Sequence, residues 1–459
     1  MKDKELIQLC ALGPDGEYRA RNRLTVPDVA GRPVAELSLV PALFINRAMD
    51  ALHRASTLAA GERAAAIARA ATLFATATVN GLSVADYETA VCRVAGLPIS
   101  VIRATTQAIG RRIACVDDSV QQARPAAAVN DWRHPLTRTG KAVWTRRGNV
   151  FAVHAAGNHP GTHSLWPEAL AMGYRIAVRP SRREPFTPHR LVTALRSAGF
   201  GPDQVVLLPT DHATAAGITA GADLNMVYGG DDVIRVFGAG TRTLAQGPGR
   251  SKILLTADVD WRKHLDTIIG SVSNHGGTGC VNATAVFVEG DPAPVAAAVA
   301  ERLSMIPSLP ALDENAVLPV QPVDSARAIE KYLLSKTAGA RAWLGGNGIV
   351  DELGDGSAVL RPAVHQLEWP DIALAGLELP FPCVWIAPWA ADDGVTPLKN
   401  TLALTALTGN EALIDRLLSE PTISNLYLGD HLTCWIEPGL PHDGYLAEFL
   451  MRSKTVIRD

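Results

Sequence analysis

Two textures of apolar and polar positions divide the chain. Over residues 45–123 apolar positions recur every three or four residues among Ala and Arg, as in ALHRASTLAAGERAAAIARAATLFATATV. That spacing puts one apolar stripe on each segment and predicts several amphipathic helices. From 149 onward short apolar runs alternate with helical stretches: NVFAVHAA, WPEALAMG, YRIAVRPS, PHRLVTALRSAG, QVVLLP and LNMVYGG. Strands alternating with helices at short intervals predict βαβ units and a parallel sheet with helices on both faces. A second run follows residue 280, with ATAVFVEG, PAPVAAAVAERLSMI, ARAWLGG and FPCVWIAP, and predicts another α/β domain beginning near Thr256. Two segments fit neither layer. DWRHPLTRTGKAVWTRRGN alternates around Gly140 and predicts a hairpin, and LMRSKTVIRD predicts a terminal strand. Exposed edges of this sort call for a partner.

The totals narrow the class. A chain of 459 residues, 47% apolar, has core material for two or three domains. Its 43 Lys and Arg against 46 Asp and Glu give a net charge of −3, without the basic excess of a nucleic-acid binder. No unbroken apolar stretch reaches membrane-spanning length and no basic-then-apolar leader opens the chain, so a cytoplasmic location is expected. The cysteines at 10, 92, 115, 280, 383 and 434 are scattered, with no C-x-x-C pair and no His cluster at zinc spacing. Reduced thiols and no metal site are the expectation.

One cysteine stands apart. In SNHGGTGCVNATAVFV a glycine run precedes Cys280, and glycine, having no Cβ, lets another molecule approach the main chain and exposes the side chain that follows. A buried structural cysteine beside a turn is the other reading of this stretch alone. Further strings occur in a fixed order: GNVFAVHAAGNHPG, YRIAVRPS, MVYGGDD, LAQGPGRSKILLTADVD, NHGGTGCVNATAVFV, LELPFPCV and GYLAEFLMRSKTVI. Together they resemble the aldehyde dehydrogenase superfamily, in a divergent branch similar to its acylating members. The resemblance covers nearly the whole chain. It implies an α/β fold with a discontinuous Rossmann-like cofactor domain (1–127 and 149–255) and an α/β catalytic domain (256–430). A β-hairpin oligomerisation arm (128–148 and 431–459) completes it, and such arms pair across subunits into a homodimer or homotetramer.

By that resemblance Cys280 is the nucleophile, in its thiolate form. Neighbouring backbone N–H groups and His275 are candidates to assist it. Asn158 in AAGNHP matches the asparagine that, with the nucleophile's own N–H, holds the oxyanion; capping a turn before Pro160 is the alternative. His154, His159 and His163 share this loop with no carboxylate partner and read as pocket lining. Trp166 and Trp435 read as substrate-tunnel, core or interface residues. The informative departure is Gln246, 34 residues before Cys280, where members that release free acids carry a glutamate that activates water. An amide orients water but does not take its proton near neutral pH. The resemblance therefore implies interconversion of an aldehyde with an acyl thioester, the donor being CoA or a carrier-protein arm. Ordinary oxidation to the acid, with a carboxylate such as Glu168 entering from elsewhere, is the rival. A catalytically silent cofactor-binding relative is the second.

The cofactor is expected to be NADP(H) in preference to NAD(H). In VRPSRRE, Arg179 replaces the family's lysine and Arg182 or Arg183 falls where an acidic residue holds the ribose, beside Ser181. Guanidinium forks match phosphate oxygens that a carboxylate would repel. Solvated surface arginines are the bland reading. Gly229 and Gly230 stand where a helix opens under the pyrophosphate, followed by Asp231 and Asp232, which oppose an anion. Glu378 and Phe381 in LELPFP match the pair that holds the nicotinamide ribose, with Pro380 inserted between them.

Overall fold

The computed structural model describes residues 6–238 and 240–459. The Ala-rich N-terminal texture forms helices Ala42–Arg54, Ala60–Thr76, Val84–Ala95, Ile99–Ala114 and Val116–Ala123. Their apolar stripes bury Ile45, Phe74, Tyr87, Val91 and Ile109, and they cover the first large sheet. Ser83 caps the third helix by accepting from Asp86 N, and Gly96, in left-handed conformation, ends it.

That sheet has seven strands in the order Thr243–Gln246, Leu224–Tyr228, Val150–His154, Arg175–Arg179, Val205–Leu207, Ala11–Gly13 and Gly16–Tyr18. The first five are mutually parallel and the last two are antiparallel additions. The order reverses between Val150–His154 and Leu224–Tyr228, and beyond the carboxyl ends of strands at such a reversal a ligand crevice forms. The Gly157–Asn158 turn and the Gly229–Gly230 turn leave the sheet at this point.

The second sheet runs Arg341–Leu344, Ala363–Gln366, Cys383–Trp389, Ala283–Glu289, Ser251–Leu255, Thr401–Leu407 and Ile423–Leu428, parallel except for its first strand. Ser251–Leu255 lies inside it, between Ala283–Glu289 and Thr401–Leu407, so the second sheet takes its first strand in chain order from before Thr256. The loop bearing Cys280 enters the amino end of Ala283–Glu289. In this sheet, then, the candidate chemistry sits at amino ends, facing the carboxyl ends of the first.

A small third sheet pairs Met451–Val456 antiparallel with Lys141–Arg146, which also pairs parallel with Ala128–Val129. The terminal strand is where the sequence places it, but the hairpin around Gly140 is not formed. Pro135–Thr139 coils into a 3-10 turn capped by His134, and the strand after it finds its partner at the chain end instead. No helix of the described residues is long and apolar enough to cross a membrane.

Candidate active site

A cavity of about 1290 Å³ opens between the two large sheets and is lined by both glycine turns and by Cys280. The Cys280 loop is shaped by backbone. His275, Gly276 and Gly277 are all left-handed, with φ of 58°, 69° and 66°. A Cβ on Gly277 would lie 2.4 Å from Pro382 N, and one on Gly249 would lie 1.8 Å from the Cys280 carbonyl oxygen. The glycines therefore serve close passage of three chain segments at the thiol, a use consistent with the missing side chain. Asn282 wires the loop: its Oδ1 accepts from Gly279 N at 2.9 Å, and its Nδ2 donates to Asn274 O at 2.8 Å and Ser271 O at 3.1 Å. Ser251 Oγ donates to Cys280 O at 3.0 Å.

Cys280 is partly exposed to the cavity, yet its thiol is pushed up to about 12. Burial is the main cause and the Glu378 and Asp443 carboxylates add to it, while the N–H groups of Cys280 and Val281 pull the other way. The thiol is thus neutral in this state. Asn158 reaches the same loop, its Nδ2 donating to Thr278 O at 3.1 Å, two residues before the thiol. Gln246 ends its strand on the cavity wall, and its carbonyl accepts from Gly229 N at 3.0 Å.

The histidines of this region are neutral. Burial lowers His275, and it lowers His159 and His163 to about 3; the rings of His159 and His275 meet edge to face at 5.4 Å. His159 and His275 line the cavity, whereas His163 accepts from Trp166 Nε1 at 3.2 Å inside the core. Trp166 is fully buried and Trp435 stands 41% exposed against Tyr427, so neither tryptophan lines the cavity. Glu168 is raised to about 7, by burial first, and also lies behind the cavity wall. Among the described residues no cluster of His, Cys, Asp or Glu is arranged to hold a metal.

The residues expected to bind a cofactor divide. Ser181, Arg183, Gly229, Gly230 and Glu378 line the cavity; Arg179, Arg182 and Phe381 do not. Arg179 belongs to a fully buried strand and donates to Thr210 O at 3.3 Å, next to His212. Phe381 is 1% exposed in the apolar core of the second sheet. Glu378 Oε2 accepts from Gly249 N at 2.8 Å and Arg250 N at 3.3 Å, and burial raises its carboxyl. Asp231 pairs with Arg250 Nη2 at 2.5 Å, which offsets the negative charge that the sequence places at this turn.

Sequence reasoning missed the contribution of the chain end. His442 and Asp443, in the expected arm, line the cavity, with Asp443 Oδ1 accepting from Ser424 Oγ at 2.9 Å. Arg111 and Arg112 enter from the last turn of Ile99–Ala114. Charged side chains inside an otherwise helical stripe were the one signal available for the pair.

A doubly wound sheet with glycine turns at its switch point, opposed by a second parallel sheet carrying a thiol on a glycine loop, defines the aldehyde dehydrogenase class of fold. A family model described as the aldehyde dehydrogenase family matches residues 42–444, and the chain belongs to that family. Similar solved structures include the P. syringae AldA indole-3-acetaldehyde dehydrogenase, in complex with NAD+ and IAA. It has a TM-score of 0.83 and 16% identity over 98% of this chain and 96% of that one. An E. coli NADP dependent enzyme has a TM-score of 0.81 and 16% identity over 99% of each chain. The 2-hydroxymuconic semialdehyde dehydrogenase of Pseudomonas sp. (strain CF600) is 24% identical over 60% of each chain. Aldehyde dehydrogenase 1A1 of Equus caballus is 29% identical over 29% of this chain and 28% of its own length. These curated relatives are thus matched over less than two thirds of their length.

Proposed function

We propose that the protein interconverts an aldehyde and an acyl thioester through an acyl group carried on Cys280. The observation that carries this reading is Gln246. By the family resemblance a water-activating carboxylate belongs at position 246; this chain has an amide there, on a residue that lines the cavity, and loss of a general base costs about 10²- to 10⁴-fold in rate. Glu378 does not readily replace it, because two backbone N–H groups hold its Oε2.

A nicotinamide dinucleotide fits the crevice. Gly230 faces open space, where an added Cβ would meet no atom within 4 Å, so anionic groups have room to approach the main chain. Ser181, Arg183, Gly229 and Gly230 would hold it, and when bound it supplies hydride transfer to or from the carbon attached to Cys280. Arg183 lines the same cavity and donates to Gln321 Oε1 at 2.6 Å; its guanidinium supports a 2′-phosphate, and with it NADP(H) as the preferred form.

Cys280 Sγ attacks the carbonyl carbon, and its proton passes to the carboxylate of Asp443, which lines the same cavity within electrostatic reach of the thiol. Asn158 Nδ2 exchanges the Thr278 carbonyl for the developing oxyanion, with Cys280 N–H as the second donor. An external thiol then attacks the acyl carbon and Cys280 leaves as the sulfur that entered. In the family's build the arm made by Lys141–Arg146 and Met451–Val456 pairs subunits, so a dimer or tetramer goes with this reading.

Asp443 favours a second reading, in which that carboxylate activates water and free acid is released. Incubating aldehyde and oxidised cofactor with and without CoA separates the two. Acyl-CoA formed only when CoA is present supports the thioester reading. Free acid formed without CoA, and lost in Asp443→Asn, refutes it.

A further inference from the structure

Backbone strain in this chain gathers at the cavity. Among the described residues, left-handed φ outside glycine occurs at Asn80, Arg250, His275 and Asn400, and all but Asn80 line the cavity. Asparagine tolerates that conformation, whereas arginine adopts it only where the surrounding structure holds it there. Arg250 (φ 49°) and Asn400 (φ 53°) immediately precede the paired strands Ser251–Leu255 and Thr401–Leu407. A lysine joins the two turns. Lys252 is 2% exposed, and its ammonium donates to Arg250 O at 2.9 Å, to Lys399 O at 3.0 Å and to the Thr401 hydroxyl, with Asn400 O at 3.5 Å. A buried ammonium is costly unless its three donors find acceptors. Oxygens from both turns supply them. Burial, and then the Arg250 charge, lower the group to about 7, while carbonyl oxygens, which only accept, favour its protonated form.

The clamp bears on the thiol through the main chain. Glu378 Oε2 accepts from Gly249 N at 2.8 Å and from Arg250 N at 3.3 Å, and Gly249 O accepts from Leu402 N at 2.8 Å. A Cβ on Gly249 would lie 1.8 Å from the Cys280 carbonyl oxygen, so these two segments pass in direct contact. Ser251, between Arg250 and Lys252, donates through its Oγ to that same oxygen at 3.0 Å and accepts there from Ala403 N at 3.3 Å. Any shift of Gly249–Arg250 is therefore passed to Cys280 on one side and to Glu378 on the other.

We infer that Lys252 is a positioning residue for the reaction: its ammonium pins the left-handed turns at Arg250 and Asn400 and thereby fixes where Cys280 and the Glu378 carboxylate stand in the cavity. This deepens the thiol reading and rests on Cys280 being the group that attacks the carbonyl. Lys252 itself does not line the cavity, so it acts through the backbone it holds.

The test uses Lys252→Met, which keeps an unbranched side chain and removes the donors, and Thr401→Val, which removes one acceptor alone. With butanal, CoA and oxidised cofactor, Lys252→Met is expected to lose at least about tenfold in kcat while KM for the cofactor stays within about twofold, because misplacing the thiol slows chemistry without removing a binding contact. Alkylation of Cys280 by iodoacetamide, which needs no turnover, is expected to rise at least about fivefold toward the rate of a cysteine peptide as the thiol leaves its buried position. Thr401→Val should give smaller changes in the same directions, and the double variant should be no worse than Lys252→Met, since both act through one contact. Thr401→Val carries the test alone if Lys252→Met does not fold. A lowered Tm with kcat and alkylation unchanged overturns the proposal, by leaving Lys252 a stabiliser of the fold. A raised KM for the cofactor with kcat unchanged overturns it as well, and so do fully additive losses in the double variant. Faster alkylation in the variants, with no turnover of any aldehyde by the wild type, retains the clamp and refutes the activity.

Discussion

The charge state of Cys280 offers a sharp quantitative prediction. Its thiol is pushed up to about 12 by burial and by the Glu378 and Asp443 carboxylates, against about 8.5 for a free cysteine. At pH 7 the thiolate fraction falls from about 3% to about 0.001% by that difference. A more basic thiolate is also a better nucleophile, with a Brønsted slope of about 0.4–0.5, which returns about 30- to 60-fold. Alkylation by iodoacetamide is therefore expected to be roughly 10²-fold slower than for a cysteine peptide. The assay is a time course of Cys280 modification, read by peptide mass spectrometry from pH 6.5 to 9.5 without cofactor. The rate should rise close to tenfold per pH unit with no plateau, and Asp443→Asn should raise it by removing one of the two facing charges. A plateau between pH 7 and 8, or a rate equal to the peptide's, would refute the reasoning by showing a thiolate already formed.

Further outcomes follow from the same geometry. Gln246→Glu should create hydrolysis, raising CoA-independent acid formation by about 10²-fold or more; product analysis with no acid above the wild-type level would count against the assigned position. Asn158→Ala should lower kcat by about 10²- to 10³-fold with little change in KM, and a change confined to KM would make Asn158 a substrate-binding residue instead. Stability should fall in acid. His154, His159, His163, His189, His365 and His442 are lowered by burial to between about 3 and about 4. Between pH 6.5 and 4 the unfolded chain binds protons that the folded chain does not, so stability present above pH 6.5 is lost on the way down. Glu168 and Glu184, raised to about 7, act in the opposite direction but are fewer. A Tm that stays flat from pH 7 to 4.5 would contradict this balance.

How far the sequence carries depends on the range of the interaction. Several strands of the two large sheets were legible because each is a short apolar run whose burial is decided locally, as in Val150–His154 and Ala283–Glu289, whereas Thr401–Leu407 and Ile423–Leu428 were not singled out. The Cys280 loop was legible because its glycines mark close backbone approach. The partner of Lys141–Arg146 was not, since it lies at the far end of the chain in Met451–Val456. The same distance hid Asp443 and His442, which return to the cavity from a segment whose own pattern shows only an arm. Arg179 and Phe381 lie outside the cavity lining for a different reason: motif position does not say which way a side chain points. Arg179 lies on a strand buried along its whole length, and the Phe381 ring lies in the core of the second sheet.

Trapping the acyl group on Cys280 tests the central claim most directly. Enzyme, aldehyde and oxidised cofactor are mixed without CoA, quenched in acid at intervals, and the Cys280 peptide is weighed. The account predicts one equivalent of reduced cofactor per site, a mass increase of one acyl group on Cys280, and loss of that adduct as acyl-CoA when CoA is added. Continued turnover without any thiol acceptor, with no adduct accumulating on Cys280, would contradict it.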